Sequence, residues 1–413
     1  MRILMLNWRC PSNPKSGGAE YVTRKHLEAW ALAGHEVHWL AGGYPGAKTY
    51  EKLSISPKTI EQCKGVIPDL PAPLRGDPGS ISPPSTLNNV TSSPVEKSQL
   101  GSQFIHLHRF GSPLTISFLA PLLYWCKWHG DFDLVIDQIH GIPFLAPLWA
   151  WKSRKIAFIH EVAQEIWDEM FPWPVNIIGK FYERLYFLLY RHVAFWVDSK
   201  STRDDLVRYG IKTSLIHVIP CAIDLEPVTG VPEKEKTLTF IFLARLVKMK
   251  GIEEALRIIA EIKKTTPEVK LWVVGGGDPD YVSHLKSMTK ELGIEPNVEF
   301  KGRVDDDEKV QLLRRAHWLL HTSMREGFGL TVLEANSQGT PVIAYDVHGL
   351  KDLIQPNTNG LLMLAQTTDP DKRIIHFPQD SEYLEICQTA LKASRTYQWD
   401  VNIKRSLALI ESL

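Results

Sequence analysis

Cysteine is scarce: Cys10, Cys63, Cys126, Cys221 and Cys387 lie far apart in 413 residues, with no Cys-x-x-Cys. An odd count at wide spacing argues against a disulfide framework or a cysteine zinc site. Net charge is missing as well, with 47 Lys+Arg against 47 Asp+Glu. That removes the broad cationic field of a nucleic-acid binder, although a local cluster for a phosphate ligand survives such a total. No apolar run approaches the ~18 residues of a spanning helix. The start, MRILMLNWRCP, has only six residues between Arg2 and Arg9. This is too short for the apolar part of a signal peptide and reads as a first buried strand. A cytoplasmic protein is expected, and the sequon Asn89-Val90-Thr91 is discounted accordingly.

Short apolar runs alternate with helical patterns along the chain. Candidate strands are Ile3–Leu6, Val37–Ala41, Phe104–Leu107, Leu134–Asp137, Ile156–His160, Val193–Val197 and Leu215–Ile219 in the first half. Thr237–Leu243, Val269–Val274, Val298–Lys301, Trp318–His321, Pro341–Ala344 and Gly360–Met363 follow in the second. Helices such as Glu20–Ala33, Ile252–Lys264, Asp280–Leu292 and Asp306–Ala316 sit between them. Strand and helix in alternation imply an α/β chain of two Rossmann-like, doubly wound parallel sheets. The length fits residues 1–220 and 221–395 as the two domains, with a hinge between Pro220 and Lys236. Residues 44–103 hold nine of the 27 prolines and nine serines. Such a segment buries too little surface to offset its ordering entropy, so a mostly disordered insertion is expected. Two aromatic stretches, Leu114–Trp128 and Phe171–Trp196, admit two readings. They are core helices of the first domain, or a peripheral contact with the inner face of the membrane.

Several motifs fall short on inspection. Gly42-Gly43-Tyr44-Pro45-Gly46-Ala47-Lys48-Thr49 lacks the second P-loop glycine, and no helix pattern follows it. Gly275-Gly276-Gly277 lacks the last glycine of a dinucleotide fingerprint. His160-Glu161-Val162-Ala163-Gln164 has Gln where a zincin needs its second His, and His35-Glu36-Val37-His38 is misspaced for one helical face. Asp305-Asp306-Asp307 opens a helix and reads as a cap rather than a metal site.

Three segments carry chemistry. In Asn7-Trp8-Arg9…Ser16-Gly17-Gly18-Ala19-Glu20, the first strand ends, a Pro-containing loop follows, and glycines open a helix and let backbone N–H groups approach an anion. Arg245 and Lys250 follow a strand, at the edge where a parallel sheet binds anionic ligands. In Arg325-Glu326-Gly327-Phe328-Gly329-Leu330-Thr331-Val332-Leu333-Glu334-Ala335, a loop carboxylate precedes a helix start and Glu334 lies about two turns inside. Carboxylates take hydroxyls and amides take phosphate, which suits a nucleotide-diphosphate sugar.

With these residues together, the chain resembles a GT-B fold glycosyltransferase of family 4, the retaining group of glycogen synthases, sucrose synthases and bacterial mannosyltransferases. The resemblance covers most of the chain, from GGAE through His160, Arg245…Lys250-Gly251 and EGFGLTVLEA to Gly339-Thr340-Pro341-Val342-Ile343. It reaches the Trp399 helix (396–413), which in that family crosses back to the first domain. The insertion departs from the pattern and leaves the local acceptor-side geometry open.

The resemblance implies roles residue by residue. Arg245 and Lys250 neutralise the donor diphosphate, Glu326 takes sugar hydroxyls, and Gly327, Phe328, Gly329 and Leu330 supply backbone donors at the helix start. Glu334 holds the ribose, His160 faces the sugar near the reacting carbon, and Gly17 and Gly18 bound the cleft. Gly302 and Arg303 lie near the base. The implied reaction is hexosyl transfer to a glycan, polysaccharide or lipid-linked hydroxyl, with no cofactor, no metal and no protein nucleophile. A donor phosphate oxygen takes the acceptor proton on the same face. The alternatives are a GT-B epimerase or phosphorylase, a non-catalytic nucleotide-sugar-binding subunit, and, more distantly, an NAD-dependent dehydrogenase.

Overall fold

The computed structural model describes residues 1–67, 104–164, 166–364 and 377–413. The sequon at Asn89 and most of the 44–103 segment lie outside them. Two sheets form, as the alternating pattern predicts. The first contains β1 (Arg2–Asn7), β2 (Glu36–Gly42), β3 (Tyr50–Ser54), β4 (Phe104–Phe110), β5 (Leu134–Ile139), β6 (Arg154–Ile159), β7 (Ala194–Val197) and β8 (Ile216–Val218). Their order is β3-β4-β2-β1-β5-β6-β7-β8. The second contains β9 (Thr239–Leu243), β10 (Lys270–Val274), β11 (Val298–Gly302), β12 (Trp318–His321), β13 (Val342–Tyr345) and β14 (Gly360–Met363). It runs β11-β10-β9-β12-β13-β14. Every pairing is parallel except β3 with β4. The strand direction of progress reverses between β1 and β5, and again between β9 and β12. Those are the crevices where open α/β sheets bind ligands, beyond the carboxyl ends of the strands.

The sheets are covered on both faces, so their strands read as continuous apolar runs rather than alternating ones. Ile3, Leu4, Met5 and Leu6 of β1 are all fully buried, as are Phe240 and Ile241 of β9. Helix Ile252–Thr265 presents Ile252, Ala255, Leu256 and Ile259 to the second sheet and its charges to solvent, the spacing of an amphipathic helix. The acidic run is a cap, as expected: Asp305 accepts a hydrogen bond from the Glu308 N–H at 2.8 Å.

The described part of the insertion, residues 44–67, is folded, while the rest of that expectation lies outside the described residues. β3 pairs antiparallel with β4 from Tyr50↔His108 to Ser54↔Phe104. Helix Pro57–Cys63 is capped by Ser56 and buries Thr59 and Cys63 against helix Gly18–Leu32. A few buried side chains suffice here because neighbouring elements supply the rest of the core. The Gly42 motif is a turn that leads into β3, so no phosphate cradle forms.

Both aromatic stretches form helices that are packed in the first domain on one face and exposed on the other. Helix Val175–Tyr190 buries Glu183, Tyr186, Phe187 and Tyr190. Its opposite face leaves Ile178 62%, Phe181 68% and Leu188 58% exposed. Helix Ile116–Leu122 likewise buries Ile116 and Ala120 while Phe118 is exposed. Among the described residues, no helix is long and apolar enough to cross a membrane.

Helix Trp399–Ser412 packs on helix Gly18–Leu32 and helix Pro57–Cys63. Ser406 Oγ lies 2.9 Å from His26 Nδ1 and accepts from Trp30 Nε1 at 3.1 Å. The Trp399 and His26 rings meet edge to face at 5.4 Å. Ile403 and Ile410 are fully buried. Ile403→Ala is expected to destabilise the protein by about 2–5 kcal/mol, read from chemical denaturation. A cost below about 1 kcal/mol would mean this helix is only loosely docked.

Candidate active site

β9 and β12 deliver the charged groups of the second sheet. After β9 the chain passes exposed Arg245 and a single turn, Lys248–Lys250, to Gly251 at φ 72°. A Cβ on Gly251 would lie 1.9 Å from the Thr322 carbonyl oxygen. Glycine therefore lets this loop press against the end of β12. The contact sets Lys250 Nζ 2.5 Å from Glu326 Oε1, with His321 Nε2 3.7 Å from the same oxygen. Burial works to raise the Glu326 pKa, but Lys250 and His321 more than offset it and hold the carboxyl below its usual range. Burial pushes His321 the other way, down to about 4, against the opposing pull of Glu326. The site thus holds an ionised Glu326 beside a neutral His321.

Beyond Glu326, Gly329 takes φ 102° and opens helix Leu330–Ser337. Phe328 is buried and meets Tyr397 edge to face at 5.8 Å, so its side chain anchors the loop from below. Glu334, on that helix, pairs with Lys309 Nζ at 3.1 Å. Burial raises the Glu334 pKa, and Lys309 only partly offsets this. Gly302, at φ 69°, ends β11. The Arg303 side chain lies over Gly276, so the two glycine-rich turns share one rim.

Across the cleft, β1, β5, β6 and β7 present a buried polar chain. Gln138 accepts from Asn7 Nδ2 at 2.6 Å, and its amide nitrogen donates to His160 Nε2 at 2.8 Å. His160 Nδ1 bonds to the Asp198 carboxylate. With Gln138 donating to Nε2, the ring proton sits on Nδ1, toward Asp198. Burial lowers the His160 pKa, yet Asp198 more than reverses it, and the imidazole sits above its ordinary value. Gly17 N–H is held by Glu20 Oε2 at 2.7 Å, at the start of helix Gly18–Leu32. The Arg9 guanidinium stacks over Trp8, 4.0 Å from the ring centroid. Burial lowers the Arg9 pKa, Glu20 opposes this, and Arg245 across the cleft lowers it further.

The two halves touch at glycines. A Cβ on Gly327 would lie 2.8 Å from the His160 carbonyl oxygen, and one on Gly18 would lie 2.8 Å from Leu330 Cδ1. A buried ion pair, Arg325 Nη2 to Asp205 Oδ2 at 2.6 Å, and Ser201 N–H to Asp352 at 2.7 Å fasten them nearby. The structure therefore gathers Gly17, Gly18, His160, Lys250, Glu326, Gly327, Leu330 and the facing cations Arg9 and Arg245 around one cleft. Glu334 sits one layer away with Lys309, and Gly302 and Arg303 stand on the rim.

Sequence models decide the family. The model described as Glycosyltransferase Family 4 matches residues 16–227, half of the chain, and that of Glycosyl transferases group 1 matches residues 228–389. The chain belongs to glycosyltransferase family 4. One relative of this family 4 chain is an uncharacterized glycosyltransferase of Methanocaldococcus jannaschii, 34% identical over 141 residues, 34% of this chain and 35% of that protein. Another is the lipopolysaccharide 1,6-galactosyltransferase of Salmonella typhimurium, 30% identical over 239 residues, 56% of this chain and 63% of that protein. The match thus spans less than two thirds of these relatives' own length. Among solved structures, Anabaena HepE in complex with UDP and glucose superposes with a TM-score of 0.66 at 17% identity over 100% of both chains. Sucrose-phosphate synthase from Thermosynechococcus elongatus gives 0.68 at 16%, covering 100% of this chain and 98% of that one. At such identities the likeness shows the fold, which is GT-B.

The sequence reading of the family 4 site placed Arg9 in the first segment without a role, and omitted Gln138, Asp198, His321 and Lys309. A signal existed for two of them. Gln138 is a polar residue inside a buried strand, and Asp198 ends an apolar one at the ligand edge. Asp198→Asn should lower the His160 titration midpoint, followed by histidine NMR. Because the folded-state value is raised, the stability from this pair is complete below about 6.5 and fades as pH rises through the folded value. The wild-type advantage over Asp198→Asn should therefore be largest in mild acid, and an advantage growing toward alkaline pH would refute the pairing. Gly327→Ala must move backbone, whereas Gly18→Ala need only turn the tip of Leu330. Chemical denaturation should show a larger loss of stability for Gly327→Ala than for Gly18→Ala.

Proposed function

We propose that this protein is a retaining hexosyltransferase that moves a sugar from a nucleotide-diphosphate donor to an acceptor hydroxyl of a glycan, polysaccharide or lipid-linked saccharide. The observation that carries this is the meeting of Lys250 and Glu326 at the β9/β12 crevice with His160 on the opposing sheet. An anionic leaving group needs fixed positive charge where its own charge develops. Arg245, Lys250 and Arg9 supply it, helped by the N-terminus of helix Leu330–Ser337, whose free N–H groups favour an anion. No metal or other cofactor is assigned a role.

Glu326 holds the sugar hydroxyls, kept ionised by Lys250. Gly327, Phe328, Gly329 and Leu330 offer backbone donors, and Glu334 accepts from the ribose hydroxyls once they displace Lys309. Gly302 and Arg303 flank the base, and Gly17 and Gly18 allow the phosphates close approach. His160 lies beside the reacting carbon, its ring fixed by Gln138 and Asp198. A carbonyl so near Gly327 also narrows the space above the sugar. The acceptor hydroxyl then attacks from the face the diphosphate leaves, and a donor phosphate oxygen takes its proton. The glycosyltransferase names among the relatives and the UDP and glucose of HepE support this reading. The exposed apolar face of helix Val175–Tyr190, with Lys180 and Arg184 beside it, supports a lipid-linked acceptor reached at the inner face of the membrane.

A thermal-shift screen of UDP-, GDP- and ADP-sugars should stabilise the protein with one base above the others, by mass action. With that donor, Lys250→Ala and Glu326→Ala should each lower kcat by about 10²–10³-fold while the fold persists. Near-native turnover in either variant would remove that residue from the site. Anomeric analysis of the product by NMR tests retention.

A further inference from the structure

At the opposite end of the first sheet, away from the cleft, three potential metal ligands collect on one face. β2 begins at Glu36 and reaches His38 two residues later, and alternate residues of a strand share a face. The spacing in His35-Glu36-Val37-His38 that fails on a helix is therefore the right one on this strand for Glu36 and His38. β4 sets His106 beside His38 in register. The two imidazoles stack with centroids 4.7 Å apart, and Glu36 Oε1 lies 2.8 Å from His38 Nε2. One ligand atom from each of Glu36, His38 and His106 falls within 4.8 Å of the others. We propose that these three residues bind a divalent cation of the zinc class and tie β2 to β4.

The far nitrogens of both imidazoles are already held. His106 Nδ1 meets the Tyr50 hydroxyl at 2.8 Å, and His38 Nδ1 meets His108 Nε2 at 3.1 Å. Such outer contacts orient a ligating ring and fix which nitrogen faces the metal. Two imidazoles and a carboxylate suit zinc, with a fourth position for water. A tetrahedral shell of ~2.1 Å bonds needs ligand atoms about 3.4 Å apart. The remaining adjustment falls to Glu36, whose side chain is 44% exposed, and to half-buried His106.

Two cations stand near. Arg2 Nε is 3.1 Å from Glu36 Oε1, but its guanidinium also bonds Asp131, side chain and carbonyl, and keeps both when Glu36 turns. Lys52 is the register partner of His106 on β3, yet its ammonium sits over the Phe104 ring at 4.0 Å. A cation here would clamp β4, the strand on which the chain re-enters the sheet after the 44–103 segment.

The test uses tag-free full-length protein stripped with chelator and titrated calorimetrically with Zn²⁺, with Co²⁺ as the visible-absorption probe. Wild type should bind one Zn²⁺ per chain with micromolar or tighter affinity, and Co²⁺ should give a tetrahedral spectrum. Glu36→Gln and His106→Gln each remove a direct ligand and should weaken binding by at least the roughly 10–100-fold that loss of an outer contact costs, and leave donor-sugar turnover unchanged. His284→Gln, remote and exposed, should leave affinity unaltered. Absence of saturable one-to-one binding in the wild type, or undiminished binding in both site variants, would overturn the proposal. Circular dichroism of each variant separates lost ligation from lost fold, and Glu36→Gln, at the more exposed of the two positions, is the variant least dependent on that control.

Discussion

The geometry of the cleft rests on a hydrogen atom at Gly327. Any side chain there would meet the His160 carbonyl, and the backbone at this contact would have to give way. With glycine, the loop bearing Glu326 lies directly against the strand end bearing His160. Everything else at the site follows from that separation. Lys250 can reach Glu326 because Gly251 makes a second close approach, to Thr322 just after β12. Both contacts are backbone against backbone, so neither relaxes by a rotamer change.

Charge within this frame is arranged rather than merely present. Glu326 is buried and ionised because Lys250 compensates it, and breaking such a pair from either side leaves a charge stranded in low dielectric. Burial works against the charge on Arg9, the Glu20 carboxylate favours it, and repulsion from Arg245 across the cleft disfavours it. An anion placed between the two arginines removes that repulsion.

Much of this was legible in the sequence, for a definable reason. Thirteen strands announce themselves as apolar runs because both sheets are covered on both faces. The loops bearing Arg245, Lys250 and Glu326 stand out because charge and glycine follow such runs immediately. β3 escaped notice since Tyr50–Ser54 buries only Leu53 fully, and an edge strand with one buried residue has almost no period to detect. Helix Pro57–Cys63 escaped for the same reason. The Asn7–Gln138–His160–Asp198 chain was illegible because its links join residues up to 131 positions apart. Only the strand order brings them together, and composition holds no trace of that order. The aromatic stretches failed differently. Their spacing identified a helix with an apolar inner face, but an outer face that is also apolar reads identically until packing is known.

The chain passes between the two halves twice, once through the segment after Pro220 and once just before Trp399. Ile223, Leu225 and Pro227 line the same hollow as Tyr397, Gln398 and Trp399, so the crossings run side by side. A single tether would let one half swivel and twist freely on the other. Two tethers laid together behave as the pin of a door, leaving one rotation that widens the cleft at its far edge and little freedom to shear. Halves joined in this way would return from any such rotation to the same register, so that the residues on opposite leaves meet again without a search.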